Sequence, residues 1–311
     1  MKDYHIYDFR LDVDIPERID KLLSIYFPEY SRSTIQKWIS NKDILINGKS
    51  CSQKDKISES CDVSINVRTK PSINLIPENI EIDIIEETDD YIVVNKKSGI
   101  VTHIAPGNYT GTLQNGLYFK YPELSEVPRT GIIHRLDKDT SGLLVVCRNL
   151  ASHNYLSKQL QEKKFTKIYH ALVTRCIDKP IVIEEPIGRH PVNRKKMSIH
   201  INGRHAISKI KPLTVFKKTT HVEVELITGR THQIRVHLSY LNNPVIGDSI
   251  YGFKKTFFTK DLTIAETIDP LFSQYLHAYS LSFRDPSSNE LKKYTAEYPK
   301  EYSLLLNQLN K

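Results

Sequence analysis

Gly131-Ile-Ile-His-Arg-Leu-Asp-Lys-Asp-Thr-Ser-Gly142 carries two carboxylates, a basic pair and a Thr-Ser-Gly turn, and the apolar run Leu143-Leu-Val-Val-Cys147 follows it directly. The segment reads as a loop that delivers charged groups to the edge of a sheet. Three uses compete for it. Asp137, Asp139 and Ser141 before Gly142 mimic the opening of a helix–loop–helix calcium site, but the twelfth position is Arg148, where a bidentate glutamate is needed. A polar turn capped by Asp139 and Ser141 is the plain alternative, and for the segment alone it is the default. The third use is a loop that carries a catalytic carboxylate.

Around this loop, strands predominate. Tyr91-Ile-Val-Val-Asn95 and Gly142–Cys147 read as short buried strands, and His221-Val-Glu-Val-Glu-Leu226 alternates apolar with polar residues. Ala151 to about Lys163 is the clearest helix, with Tyr155, Leu156 and Leu160 on its inward side. No regular alternation of strand and helix is visible, so the expected class is α+β, with a largely antiparallel mixed sheet.

A second unit precedes it, a small α/β domain. Ile19, Leu22, Leu23 and Tyr26 recur at i, i+3, i+4 and i+7, one face of a helix that Pro28 ends. Ser33 with Gln36 three residues on reads as a capping box for a second helix carrying Ile35, Trp38 and Ile39. Ile44-Leu-Ile46 is an expected strand, Asn47-Gly48 a tight turn, and Val63 to Val67 a last strand. Arg18, Lys21, Arg32, Lys37 and Lys42 decorate this unit with positive charge. On spacing alone, an ordinary amphipathic hairpin with solvated lysines accounts for it best. Residues 68–85, with Pro71 and Pro77, read as a linker, and the expected domains are 14–75 and 76–311.

Bulk properties bound the function. The 311 residues suit two domains, and 39% hydrophobic content supports a sizeable core. Lysine and arginine exceed aspartate and glutamate by 8, which favours polyanionic partners only slightly. No apolar run approaches a membrane span and the N-terminus lacks a signal-peptide core, so a cytoplasmic protein with no membrane partner is expected. The four cysteines, at 51, 61, 147 and 176, show no Cys-x-x-Cys spacing. His232 and His237 lack a His-Glu-x-x-His pattern and a third ligand, so no metal is expected.

His134-Arg-Leu-Asp-x-x-Thr-Ser-Gly142 resembles the signature of the RluA family of pseudouridine synthases, without departure. The resemblance spans nearly the whole chain. It includes Val94-Asn-Lys-Lys-Ser-Gly99, Lys167-Ile-Tyr-His-Ala-Leu172, Gly229-Arg-Thr-His-Gln-Ile-Arg-Val-His-Leu238, Pro244-Val-Ile-Gly-Asp248 and Leu276-His-Ala278, in order. Arg18-Ile-Asp-Lys-Leu-Leu, Ser31-Arg-Ser-Thr-Ile-Gln-Lys-Trp-Ile and Ile46-Asn-Gly-Lys49 resemble the small alpha-L RNA-binding domain. Pro186-Ile-Gly-Arg-His-Pro191 and Val127-Pro-Arg-Thr-Gly-Ile-Ile-His134 are most similar to the branch acting on large-subunit (23S) rRNA. Within it, the nearest resemblance is to the branch that modifies uridines of the helix 69 stem-loop.

The resemblance implies roles. Asp137 is the implied nucleophile, Arg235 its counter-charge, and Tyr169 the aromatic that packs on the target base. Arg135 helps extrude the nucleotide, whose base must leave its stack before chemistry. Isomerisation breaks C1′–N1 and forms C1′–C5 with no net redox change, so no cofactor is expected. Whether Asp137 adds to the base or helps expel it through a glycal-type intermediate stays open. Read as residues alone, Tyr169 is a core aromatic on a strand, and Arg235 a surface salt-bridge partner on a strand.

Expected RNA contacts are Arg189, Arg194, Lys195 and Lys196 in the basic run Arg189–Lys196, Arg230, and Arg32 and Lys37 in the front unit. Lys163, Lys164 and Lys167 flank the tyrosine motif in the same sense. Solvation is the ordinary fate of such charges. The partner is structured RNA, 23S rRNA or a large-subunit particle, bound by a monomer. Other readings are the same chemistry at another 23S site or on tRNA, a non-catalytic ribosome-assembly factor, and a hydrolase using Asp137 with Asp139.

Overall fold

In the computed structural model, which describes residues 4–13, 15–27, 30, 32–68, 75–105, 107–193, 196–258, 262–268 and 274–311, the chain separates into two units, Met1–Asn74 and Leu75–Lys311. The first unit contains β1 (Tyr4–Leu11), β2 (Glu17–Arg18), α1 (Ile19–Tyr26), α2 (Arg32–Ser40), β3 (Ile44–Ile46), β4 (Lys49–Ser50), β5 (Lys56–Ile57) and β6 (Cys61–Arg68). Its sheet runs β1-β6-β3-β4. Ile19 and Leu23 of α1, with Ile35 and Ile39 of α2, are spaced four apart and fully or nearly buried, so each helix lays one stripe on the sheet. Asn47 and Gly48 both take positive φ, 48° and 76°, the geometry of a two-residue hairpin that matches strand twist.

Two readings need correction. β1 lies ahead of residue 14 and is absent from the sequence reading, although Tyr7, Phe9 and Leu11 alternate inward against exposed Ile6, Asp8 and Arg10. Helix α2 begins at Arg32, so Ser33 lies inside it and does not cap it. The Gln36 amide donates instead to Asp20 at 2.7 Å. Pro28 lies outside the described residues.

The second unit contains β7 (Asp83–Glu87), β8 (Tyr91–Lys96), α3 (Leu113–Lys120), β9 (Ser141–Cys147), α4 (Leu150–Gln161), β10 (Thr166–Thr174), β11 (Ile181–Glu184), β12 (Ile187–Arg189), β13 (Met197–Ile199), β14 (Ile207–Val215), β15 (Thr219–Leu226), α5 (Gln233–Tyr240), α6 (Leu262–Thr267), β16 (Leu276–Arg284), β17 (Leu291–Thr295) and α7 (Lys300–Leu309). A nine-stranded sheet runs β11-β14-β15-β10-β16-β9-β8-β7, with β17 beside β16. All of its pairs are antiparallel except β9 with β16. The fold is α+β with a mostly antiparallel mixed sheet.

The sheet is covered on both faces. Residues of β8 and β9 alternate between two cores: Ile92, Val94, Leu144 and Val146 face one, Tyr91, Val93, Leu143 and Val145 the other. That is why these strands read as unbroken apolar runs. The first core also takes Tyr169 and Ile234, and the second takes Leu156 of α4.

Two further differences appear. Strand β7 begins inside the stretch expected to be linker, and Ile80 packs so close to Gly116 that a Cβ there would stand 2.9 Å away. In residues 253–274, which carry none of the quoted motifs, Phe253, Phe258 and Ile268 are buried with Tyr275 and Tyr302 in a third core under α7.

Candidate active site

The loop before β9 is held by its neighbours through backbone atoms. Thr102 Oγ1 donates to the Leu136 carbonyl at 2.8 Å, and Ser98 Oγ to the Asp139 carbonyl at 2.8 Å. Lys96 is 2% exposed, and its Nζ donates to the carbonyls of Lys97, Ile100 and Lys138 at 2.9, 2.8 and 3.0 Å. Burial pulls the Lys96 pKa down to about 7, against the opposing pull of Asp139 and Asp137. His134 Nε2 accepts from the Val145 amide at 3.0 Å, and burial lowers its pKa to about 3. A neutral ring with Nε2 as acceptor is a staple between loop and strand, not an acid–base group. Gly142 ends the loop at φ 108°, where a Cβ would meet the Ala278 carbonyl oxygen at 2.3 Å. Only glycine allows β9 and β16 to meet there.

Asp137 emerges from this loop with 17% of its side chain exposed. Arg235 Nη1 donates to its Oδ2 at 2.9 Å. The rest of that guanidinium is committed to Asp248, with Nε to Oδ2 at 2.7 Å and Nη2 to Oδ1 at 3.0 Å, and it lies 4.8 Å over the Tyr251 ring. Burial opposes the Arg235 charge, but Asp248 and then Asp137 outweigh it and raise the pKa. Arg235 is therefore a buried fork joining two carboxylates, 3% exposed, in the second residue pair of helix α5. It is neither on a strand nor at the surface, as the plain reading had it.

Tyr169, on β10, is 8% exposed in the first core. Burial raises its pKa, and the Asp137 charge adds to this. Tyr169, Asp137, Arg235 and Arg135 line one cavity of about 400 Å³. Arg135 is exposed at it, and Arg129, Lys167 and Arg230 join the lining, so five cations face a single lining carboxylate, Asp137. Leu136, Leu226, Ile234 and Leu276 supply apolar wall. Burial, then Arg230, lowers the Lys167 pKa. His103, also lining, is lowered to about 4 by burial and then by Arg135 and Arg129. A planar anionic group with an apolar face, a nucleotide for example, matches this lining chemically.

Among the described residues, the other expected contacts apart from Arg230 fall elsewhere. Arg189 ends β12, which pairs with β13, and the His190 amide donates to the Lys196 carbonyl, so Arg189 and Lys196 face each other across a hairpin. Arg194 and Lys195 lie outside the described residues. Arg230 Nε donates to the His205 carbonyl at 3.0 Å. In the first unit Lys37 is exposed on α2, while Arg32 Nε and Nη2 both donate to Asp20 Oδ2, at 3.1 and 3.0 Å. His237 is buried between Ser208 and the Glu185 carbonyl. Among the described residues no group of three His, Cys, Asp or Glu side chains could hold a metal. No described helix is long and apolar enough to cross a membrane.

Sequence reasoning missed Asp248, Lys96 and Tyr251. Asp248 sits inside a quoted motif, yet only its pairing with Arg235 gives it a part. Nothing in the sequence separates Lys96 from its exposed neighbour Lys97.

A family profile described as RNA pseudouridylate synthase matches residues 90–240, and one described as S4 domain matches residues 17–63. The chain is 41% identical over 295 residues to the ribosomal large subunit pseudouridine synthase D of Neisseria meningitidis serogroup B, covering 94% of this chain and 78% of that protein. It is 36% identical over 287 residues to the protein of the same name from Escherichia coli K12, covering 92% and 88%. The solved human RNA pseudouridylate synthase domain containing 1 is similar with a TM-score of 0.56 and 27% identity, over 73% of this chain and 87% of that one.

Proposed function

The chain belongs to the RNA pseudouridylate synthase family and is an RNA pseudouridine synthase, and from that premise we propose that it isomerises uridines of large-subunit (23S) ribosomal RNA, in the helix 69 stem-loop, in the cytoplasm. The observation that carries the chemistry is Asp137 in the basic cavity, one oxygen fixed by buried Arg235 and the other turned away from it. Asp137 serves as the nucleophile, and Arg235 holds it aimed. Tyr169, too deeply buried beside Asp137 to ionise, packs against the base. Arg135 at the opening takes the place of the extruded nucleotide, whose unstacking costs a few kcal/mol. Arg129, Lys167 and Arg230 hold phosphates, and the hairpin with Arg189 and Lys196 and the first unit with Lys37 extend the contact. The substrate assignment rests on the relatives' names and on the front S4 domain.

Tritium release from 5-labelled uridine in unmodified large-subunit rRNA tests the activity, because C5 loses its hydrogen when C1′–C5 forms. Wild-type protein releases label and Asp137→Ala does not. Mapping pseudouridines in rRNA from cells lacking the protein tests the site. Loss at helix 69 is expected, and loss only elsewhere in 23S rRNA or in tRNA overturns that assignment.

A further inference from the structure

A second residue is built to face Asp137. His232 precedes α5 with φ 56°, a left-handed conformation that costs a non-glycine residue about 1 kcal/mol and that tends to persist where function holds it. Its side chain is 20% exposed and lines the cavity. Its Nδ1 lies 2.7 Å from the Tyr251 hydroxyl, and the Met197 amide donates to that same hydroxyl at 2.8 Å.

The protons in this chain can be assigned. An amide N–H only donates, so the Tyr251 oxygen accepts from Met197. Among the described residues His232 Nδ1 is the acceptor beside the single Tyr251 proton, so the arrangement that leaves no buried donor idle has Nδ1 accept it. A neutral imidazole has one N–H, so it lies on Nε2. That nitrogen faces Asp137 Oδ1 at 3.9 Å, the oxygen that Arg235 leaves alone.

We propose that His232 is a positioning residue for Asp137, locked by Met197 and Tyr251 into the neutral tautomer that presents Nε2–H to Asp137 Oδ1. Arg235 fixes one carboxylate oxygen with a cation and His232 fixes the other with a neutral donor, so the carboxylate cannot rotate about Cβ–Cγ. The 3.9 Å separation closes to a hydrogen bond when the substrate fills the site, as catalytic hydrogen bonds commonly do. The groups facing His232 are Asp137 and Arg135 from the loop, Arg235 from α5, and Asp248 and Tyr251 beyond it. Burial leads in keeping the ring neutral, with Arg235 and Arg135 acting in the same direction and the two aspartates against. The chain begins at the first residue of β13, so the basic hairpin is linked to Asp137 through three hydrogen-bonding groups.

This inference rests on the reading of Asp137 as nucleophile, and the test separates the two. His232→Gln keeps an N–H at the place of Nε2. His232→Asn keeps an acceptor at the place of Nδ1 and loses that donor. In full-length protein on an rRNA stem-loop, His232→Asn is expected to lower kcat by about 10- to 100-fold with KM changed by less than about 3-fold, and His232→Gln to restore most of it. Tyr251→Phe frees Nδ1 to take a proton, so the acid limb of the kcat profile moves up in pH. Equal losses in Gln and Asn variants, or a loss confined to KM, overturn the proposal. Should the Asn variant fail to fold, an unmoved acid limb in Tyr251→Phe overturns it alone. Activity surviving in Asp137→Asn sinks the nucleophile reading, whereas a dead Asp137→Asn beside a fully active His232→Asn sinks only this one.

Discussion

The pattern Arg-x-Asp occurs as Arg10-Leu-Asp12 and Arg18-Ile-Asp20 in the first unit and as Arg135-Leu-Asp137 in the second, and the last two copies are folded to different ends. Asp20 is fully buried at the start of α1. Arg18 doubles back to grip it through Nε and Nη2 at 3.1 and 3.0 Å, and Arg32 and Gln36 supply three more donors. Burial pushes its carboxyl pKa up, but Gln36, Arg18 and Arg32 together hold it below the usual range. Asp137 is partly exposed and takes one hydrogen bond from an arginine 98 residues away, while its own neighbour Arg135 turns to the cavity. A fully buried carboxylate gripped at both oxygens by five donors can only hold a fold together. One with an oxygen left over can do chemistry, provided a rigid partner fixes the other oxygen. What separates the two copies is the long-range partner, not the local sequence.

The widest gap between them is in activity. Asp137→Asn should lower kcat on the order of 10⁴-fold or more, because the nucleophile is gone while the shape remains. Asp20→Asn should leave kcat on a short stem-loop within about 3-fold, since it alters only the first unit. Single-turnover assays at saturating enzyme separate these, and comparable losses would erase the distinction. Arg235→Lys comes next. A lysine keeps the charge but cannot serve Asp137 and Asp248 with a planar fork, so kcat should fall about 10²-fold. A near wild-type rate would mean that charge alone suffices at this position.

How much of this contrast is legible in the sequence depends on distance along the chain. The Asp137 loop, Tyr169 and Arg235 are found through motif order. The helix that carries Arg235 is not. Gln233 to Leu238 is buried on every side, so no 3.6-residue stripe survives, and Ile234, Val236 and Leu238 mimic the alternation of a strand. Strand β1 is the opposite case, because its inward Tyr7, Phe9 and Leu11 were readable by alternation. The segment after Phe253 hides its role because its aromatics serve a core completed by Tyr302 and Leu305 of α7, far along the chain. The Met197–Tyr251–His232 chain joins three separate segments, and no local pattern announces it.

Stability should reverse the order seen in activity. Asp20→Ala removes the shared acceptor of two arginines that are themselves 36% and 46% exposed and can be rehydrated, so the first unit should lose about 2 kcal/mol rather than the larger cost of a wholly buried pair. Hydrogen exchange on the full chain would read this as roughly 30-fold faster exchange in α1 and β6. Asp137→Ala should leave those amides unchanged. The contrast also has a pH signature. The folded Asp20 pKa is depressed, so its contribution is whole above about pH 4, the unfolded value, and drains away as pH falls through the lower folded value. In Asp20→Asn that acid dependence of first-unit exchange should flatten. An unchanged profile would show that the five donors contribute nothing net.

The smallest effect sharpens the comparison within the first unit itself. Lys37 is exposed on α2, whereas Arg32, on the same helix, spends two donors on Asp20. If both touch RNA phosphates, either substitution by Gln removes one released counterion, and the slope of log affinity against log salt should shallow by about 0.7 to 0.9. Lys37→Gln should do only that. Arg32→Gln should do that and also speed exchange in α1, because Asp20 keeps its burial and loses a partner. A Lys37→Gln protein with an unaltered slope would return that lysine to simple solvation. An Arg32→Gln protein with altered slope but unaltered exchange would show that its grip on Asp20 is idle, and that Arg18 and Gln36 alone make Arg18-Ile-Asp20 structural.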